Sequence, residues 1–196
     1  VLSMAGATAA EACALLPAHD VHVRAGRIVA VQPTLPATAY ACYSEVVGGA
    51  LLTPGLIDCY THLVFGGNRA HEWAQRLNGV PYADIAAQGG GIVSTVQATR
   101  AMSAEALFQA SVPRLQALMA EGVTTLEAKT GYGLSLAAER KQLQVLARLA
   151  ATHAVELVPT LLSAHALPPE YAQRADDYID LVCTEILPVL WQEGWF

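Results

Sequence analysis

The hydrophobic positions of this chain follow two rhythms, and the change between them divides it. In the first part they alternate. Val21 and Val23 alternate with His22 and Arg24, Gly26 supplies a turn, and Ile28 to Val31 returns, so this stretch predicts a small β unit. Pro33, Pro36 and the Thr- and Ala-rich stretch to Tyr40 read as a connector, and Gly48-Gly49 and Thr53-Pro54-Gly55 bracket the next strand. From there the rhythm becomes strand, loop, helix. Gly55-Leu56-Ile57 predicts a short buried strand, Gly66-Gly67-Asn68-Arg69 a polar loop, and residues 85–88 a turn leading to Gly89-Gly90-Gly91. Ile92, Val93 and Val96 have helical spacing. Ser103 is placed to cap a helix whose Leu107, Phe108, Val112, Leu115, Leu118 and Met119 form one stripe. Pro113 inside that stripe predicts a kink or a break, and Gly122 a C-terminal stop.

The same alternation continues. Val123–Lys129 reads as a second buried strand ending in Thr130-Gly131-Tyr132-Gly133, followed by a helix from Ser135 with Leu143, Leu146 and Leu149 inward. Residues 155–162 read as a third strand ending at Ser163-Ala164-His165, and Pro168-Pro169 opens another helical region. Strands alternating with helices imply parallel βαβ units, and the polar residues gather just after each strand's C-terminal end, where parallel barrels place their sites. The expected fold class is α/β: a partial (β/α)8 barrel over residues 53–196 behind an N-terminal β segment, residues 1–52. A complete barrel needs about 250 residues. Only three barrel strands are legible, and the sequence stops as a helix-to-strand connection falls due, so the pattern reads as that of a truncated chain.

One strand end carries a candidate site. Side chains two apart on a strand share a face, so Tyr60 and His62 point the same way. Two histidines at that spacing can grip one cation, but the first of the pair here is a tyrosine. A phenol titrates near pH 10, which makes it a poor ligand unless a metal drives off the proton. Position 60 reads as degenerate.

Composition narrows the classes. Over 196 residues, 54% are hydrophobic and 14% charged, a balance that builds a core rather than a disordered chain. A net charge of -6 with no basic cluster argues against nucleic acid as a partner. Apolar stretches are interrupted well before about 18 residues, so no membrane span is expected. The first residues lack a basic n-region, which argues against a signal peptide. Cys13, Cys42, Cys59 and Cys183 are scattered without a CxxC pair, suiting free thiols in a cytoplasmic protein.

Four segments, TPGLIDCYTHLVFGGNRAHE, GGGIVSTVQATR, EGVTTLEAKTGYGL and SAHALPPEY, carry a resemblance over about residues 18–190 to imidazolonepropionase, a family of the amidohydrolase superfamily. The first segment is partly generic to the superfamily. The combination of GGNRAHE, TGYGL and AHALPPEY is far more specific. The resemblance implies a distorted (β/α)8 barrel beside a small β-sandwich, and one divalent metal, zinc or iron. The metal is held by an HxH pair on the first strand, with a further histidine and an aspartate from later strands. His62 matches the second histidine of the pair and Tyr60 the first, and the later two ligands would lie beyond Phe196. Arg69, Tyr132 and His165 match residues that bind the substrate, with His165 also the catalytic, proton-handling group. The implied reaction opens the cyclic amide of 4-imidazolone-5-propanoate to N-formimidoyl-L-glutamate, in histidine degradation. The implied partner is that small molecule, and a homo-oligomer is allowed.

Plainer readings stand beside these. His62 alone reads as a satisfied core histidine, Arg69 as a solvated charge, and Tyr132 as a turn residue. Against that, a guanidinium in a glycine-rich loop forks onto a carboxylate, and glycines flanking Tyr132 let backbone approach a ligand. Glu127 and Lys129 share a strand face and are expected to form an internal ion pair rather than a catalytic one. His19, His22, His71 and His153 have no assigned function. Three alternatives remain open: another ring-opening amidohydrolase or deaminase, a non-catalytic relic or binding module keeping Arg69, Tyr132 and His165, and a structural role.

Overall fold

Alternation at the start of the chain folds as an antiparallel hairpin in the computed structural model, which describes residues 1–4, 6, 13–36 and 50–196. Strands β1, His19–Arg24, and β2, Arg27–Pro33, pair from His19 opposite Pro33 to Arg24 opposite Arg27, with an irregularity at His22/Val23. The two turn residues, Ala25 (φ 48°) and Gly26 (φ 73°), both lie in the left-handed region. That geometry matches the twist of the flanking strands, and only the glycine adopts it without strain. The hairpin belongs to the first of two compact units, Val1–Gly55 and Leu56–Phe196. The connector from 37 to Tyr40 and the Gly48-Gly49 bracket fall outside the described residues.

The second unit holds three parallel strands, β3 (Leu56–Thr61), β4 (Val123–Lys129) and β5 (Glu156–Thr160), in the order β3-β4-β5. Leu56 pairs with Val123 and Thr61 with Ala128 on one side, and Thr125 pairs with Glu156 and Lys129 with Thr160 on the other. This is a mixed α/β arrangement with an open sheet: among the described residues β3 and β5 each have one strand neighbour. The helices are α1 (Ala70–Leu77), α2 (Tyr82–Ala87), α3 (Ile92–Ala101), α4 (Ala104–Ala120), α5 (Leu136–Thr152), α6 (Ala175–Leu181) and α7 (Leu187–Gln192), with a π-helical turn, Val182–Ile186, joining the last two.

The core sits where β4 meets α4 and α5. Leu126 and Ala128 of β4, Leu107 and Leu115 of α4, and Leu143, Leu146 and Leu149 of α5 are buried together with Leu63, Val64, Ile186 and Leu190. Each fully buried leucine contributes about 1.5–3 kcal/mol relative to exposure. Ser103 caps α4 as the sequence suggests, its Oγ accepting from the Ala106 N–H at 3.1 Å, and Gly122 (φ 94°) follows the helix end.

Three expectations need correction. Pro113 does not break α4, which runs unbroken from Ala104 to Ala120. Pro113 and Gln109, the residue whose carbonyl a proline four positions on cannot serve, both lie on the exposed face of the helix, where water can replace a lost bond. Residues 85–88 are not a free turn: Tyr82–Ala87 is helix α2, with Gln88 at its C-cap. The Leu56-Ile57 run is not a buried strand, since Leu56 is 54% and Ile57 69% exposed. An apolar run states a preference for burial, but among the described residues β3 is an edge strand without the second neighbour that β4 has. Among the described residues no helix is long and apolar enough to cross a membrane.

Candidate functional site

Parallel strands deliver their following residues to one end of the sheet, and three of these loops converge. His62 directly follows β3, Tyr132 lies in the loop after β4, and His165 closes the 3₁₀ turn Ser163–His165 after β5. The His62 ring centroid is 4.7 Å from that of Tyr132 and 4.8 Å from that of His165, and the Tyr132 and His165 rings meet edge to face at 5.7 Å. The structure thus brings together three of the four residues singled out in the sequence. Arg69, the N-cap residue of α1, is the fourth. It lines a cavity of about 220 Å³ with Phe65, Asn68, Thr95 and Tyr132.

The electrostatics of this end are uneven. Both ring nitrogens of His62 are buried, and among the described residues neither has a partner in full hydrogen-bond geometry, the Thr130 carbonyl being close enough only to act on its charge. Burial, and then the neighbouring His165 and Lys129, push its pKa below the ordinary value, while the Thr130 carbonyl and Glu127 pull the other way. A half-buried imidazole with both ring nitrogens sheltered from water is suited to a ligand. Burial raises the Tyr132 phenol, against the opposing Arg69 charge, so its hydroxyl stays a donor at neutral pH. Lys129 pairs with Glu127, as expected from the sequence, and Thr160 Oγ1 also donates to the Glu127 carboxylate at 2.7 Å. These two bonds hold Glu127 below the usual carboxylate range.

A divalent metal finds only part of its cradle here. His62 fits as a donor. Tyr60 is 65% exposed, its ring lies 5.9 Å from that of His62, and Lys129 Nζ sits 4.6 Å from the Tyr60 ring centroid. An ammonium over that ring competes with a second cation. Among the described residues no group of three or more His, Cys, Asp or Glu side chains is placed to hold a metal.

Several supporting residues carried no signal in the hydrophobic pattern. Glu72 is buried, accepts from the Gly91 N–H at 3.0 Å and lies 4.0 Å from Arg69, tying α1 to the start of α3. Glu139 is fully buried and accepts from the N–H groups of Gly131, Gly133 and Leu134 at 3.1, 2.9 and 2.7 Å. Arg100 donates to the carbonyls of Gly133 and Leu134 at 2.6 and 3.2 Å and pairs with Glu170 at 2.8 Å. Arg114 lies over the Phe65 ring, 3.6 Å from its centroid, and donates to the Phe65 carbonyl at 2.9 Å, bracing one cavity wall. A glutamate in the first turns of a helix beside a glycine-rich loop is the one signal that marks Glu72 and Glu139 in advance.

No family model matches the chain. Among curated proteins it is 56% identical to the imidazolonepropionase of Photorhabdus laumondii over 182 residues, which are 93% of this chain and 44% of that protein. It is 58% identical to the Chromobacterium violaceum imidazolonepropionase over 181 residues, 91% of this chain and 44% of the other. Over 148 residues, 76% of this chain and 37% of the relative, it is 64% identical to the Pseudomonas putida imidazolonepropionase. The chain therefore spans less than half the length of these relatives. At this level of identity, over most of its own residues, the chain belongs to the imidazolonepropionase family.

Proposed function

We propose that the cavity beside Tyr132 is the site at which 4-imidazolone-5-propanoate is held for hydrolysis to N-formimidoyl-L-glutamate. The observation that carries this is the placement of Arg69 and Tyr132 on one cavity, with the His62 and His165 rings packed against Tyr132. Arg69 takes the propionate through two charge-assisted hydrogen bonds, fixing the end of the substrate that does not react. Tyr132 donates to the ring and stabilises charge developing on the amide oxygen. Water adds its hydroxyl to the carbonyl carbon as the C–N bond breaks, and its proton passes to the departing nitrogen, which His165 is placed to serve. A zinc or iron ion, when bound, supplies Lewis-acid polarisation of the carbonyl and acidifies water. His62 is the residue here that would hold it. The setting would be the cytoplasm and the partner this small acid.

Tyr60 favours a second reading, in which this chain binds the acid without turning it over. Loss of the imidazolone ultraviolet absorbance, followed with added zinc or iron, separates the two. Turnover abolished by a chelator and by His62→Ala supports hydrolysis by this chain. Binding of the stable analogue 3-(imidazol-4-yl)propanoate without turnover supports the binding module. Turnover of a hydantoin, dihydroorotate or purine, with the imidazolone untouched, would assign another activity of the superfamily.

A further inference from the structure

We propose that Glu139 is a positioning residue for Tyr132, fixing the loop that presents the phenol to the cavity. This rests on the reading of that cavity as the binding site for the imidazolone acid.

The loop after β4 has an unusual backbone. Gly131 (φ 102°) and the non-glycine Leu134 (φ 54°) both lie in the left-handed region. Such turns point successive N–H groups inward and make a concavity that favours an anion. The anion here is built in. Glu139 Oε1 accepts from Gly133 and Leu134, and Oε2 accepts from Gly131, so the two bonds flanking Tyr132 end on different oxygens of one carboxylate. Arg100 grips the Gly133 and Leu134 carbonyls, so the loop is clamped through both its donors and its acceptors.

Close packing leaves the loop little room. A Cβ at Gly133 would come within 2.6 Å of the Ala138 and Glu139 backbone, and one at Gly131 within 2.7 Å of the Leu162 carbonyl oxygen and 2.9 Å of His165 Cβ. Gly131 thus lies between the two proposed site residues: it precedes Tyr132, and any side chain on it would run into His165. The helix that supplies Glu139 is rooted in the core through Leu143, Leu146 and Leu149, so the position of the phenol is referred to the core.

Glu139→Gln isolates this role, because the amide keeps the volume and one acceptor but turns an NH2 toward one of the N–H groups. With its oxygen on Gly133 and Leu134, the bond to Gly131 is lost. On the 196-residue chain, NMR would read three quantities: amide exchange at Gly131, proximity of the Tyr132 ring to the His62 and His165 rings, and affinity for 3-(imidazol-4-yl)propanoate. In Glu139→Gln, Gly131 exchange should rise and affinity fall, each by about tenfold, with weaker contacts from the Tyr132 ring. In a Tyr132→Ala background the same substitution should change affinity by less than about twofold, since the residue it positions is gone. Wild-type exchange and ring contacts in Glu139→Gln would overturn the inference, as would an equal affinity loss with and without Tyr132. If the wild-type chain fails to bind the analogue while exchange and ring contacts still respond, the ligand assignment falls and the positioning role stands.

Discussion

Two tyrosines flank His62, and the chain treats them differently. Tyr132 follows the central strand β4, its loop is clamped by Glu139 and Arg100, and burial keeps its hydroxyl protonated. Tyr60 sits on the edge strand β3, is 65% exposed, and meets a lysine over its ring. The half of the site that would hold a substrate is braced from the core outward, whereas the half that would hold a metal has one well-placed donor. The contrast is one of support: Tyr132 is tied to the core through Glu139, and Tyr60 lies exposed.

The largest expected effect lies under the braced half. Leu126→Ala in β4 should cost about 2–5 kcal/mol of stability, because Leu126 is fully buried in the core. Ile57→Ala in β3 should stay within about 0.5 kcal/mol, as exposed positions do. Denaturant titration of both variants checks the contrast, and equal losses would show β3 to be as well supported as β4. Next in size, Arg69→Ala should weaken binding of 3-(imidazol-4-yl)propanoate by about 2–3 kcal/mol, through loss of a charge-assisted clamp, measured by calorimetry. Tyr60→His should then raise zinc affinity by about tenfold or more, since a neutral imidazole needs no deprotonation and suits zinc. Equilibrium metal titration against His62→Ala reads this. Unchanged affinity would remove position 60 from the metal's immediate surroundings.

The smallest effect is the pH response of His62. Its folded pKa lies below the unfolded value near 6.5, so between the two the unfolded chain binds more protons. Stability is therefore full above about pH 6.5 and declines as pH falls toward the folded pKa, a loss that His62→Gln should remove. Melting temperatures from pH 7.5 to 5 in both proteins test the sign.

Legibility in the sequence followed physical cause. Strands β4 and β5 and helices α4 and α5 were readable because their apolar residues face a common core, and the period of a buried stripe records that directly. Helix α1 was not, because its apolar Trp73 and Leu77 are exposed and its buried residue is Glu72. The proposed site residues were legible as motif positions, His62, Tyr132 and His165 just past strand ends and Arg69 in the glycine-rich loop before α1. Their bracing was not, since Glu139 and Arg100 act on backbone groups, and no pattern of side-chain polarity records which N–H or carbonyl a side chain will reach.

We propose that Arg69, Tyr132, His62 and His165 form one binding site that takes up the acid before any metal enters. Titration of the metal-free chain with 3-(imidazol-4-yl)propanoate under NMR observation decides this. Saturable shifts at all four residues with a single dissociation constant are expected, with loss of those shifts in Arg69→Ala. Shifts confined to other regions, or a dissociation constant unchanged by Arg69→Ala, would contradict it.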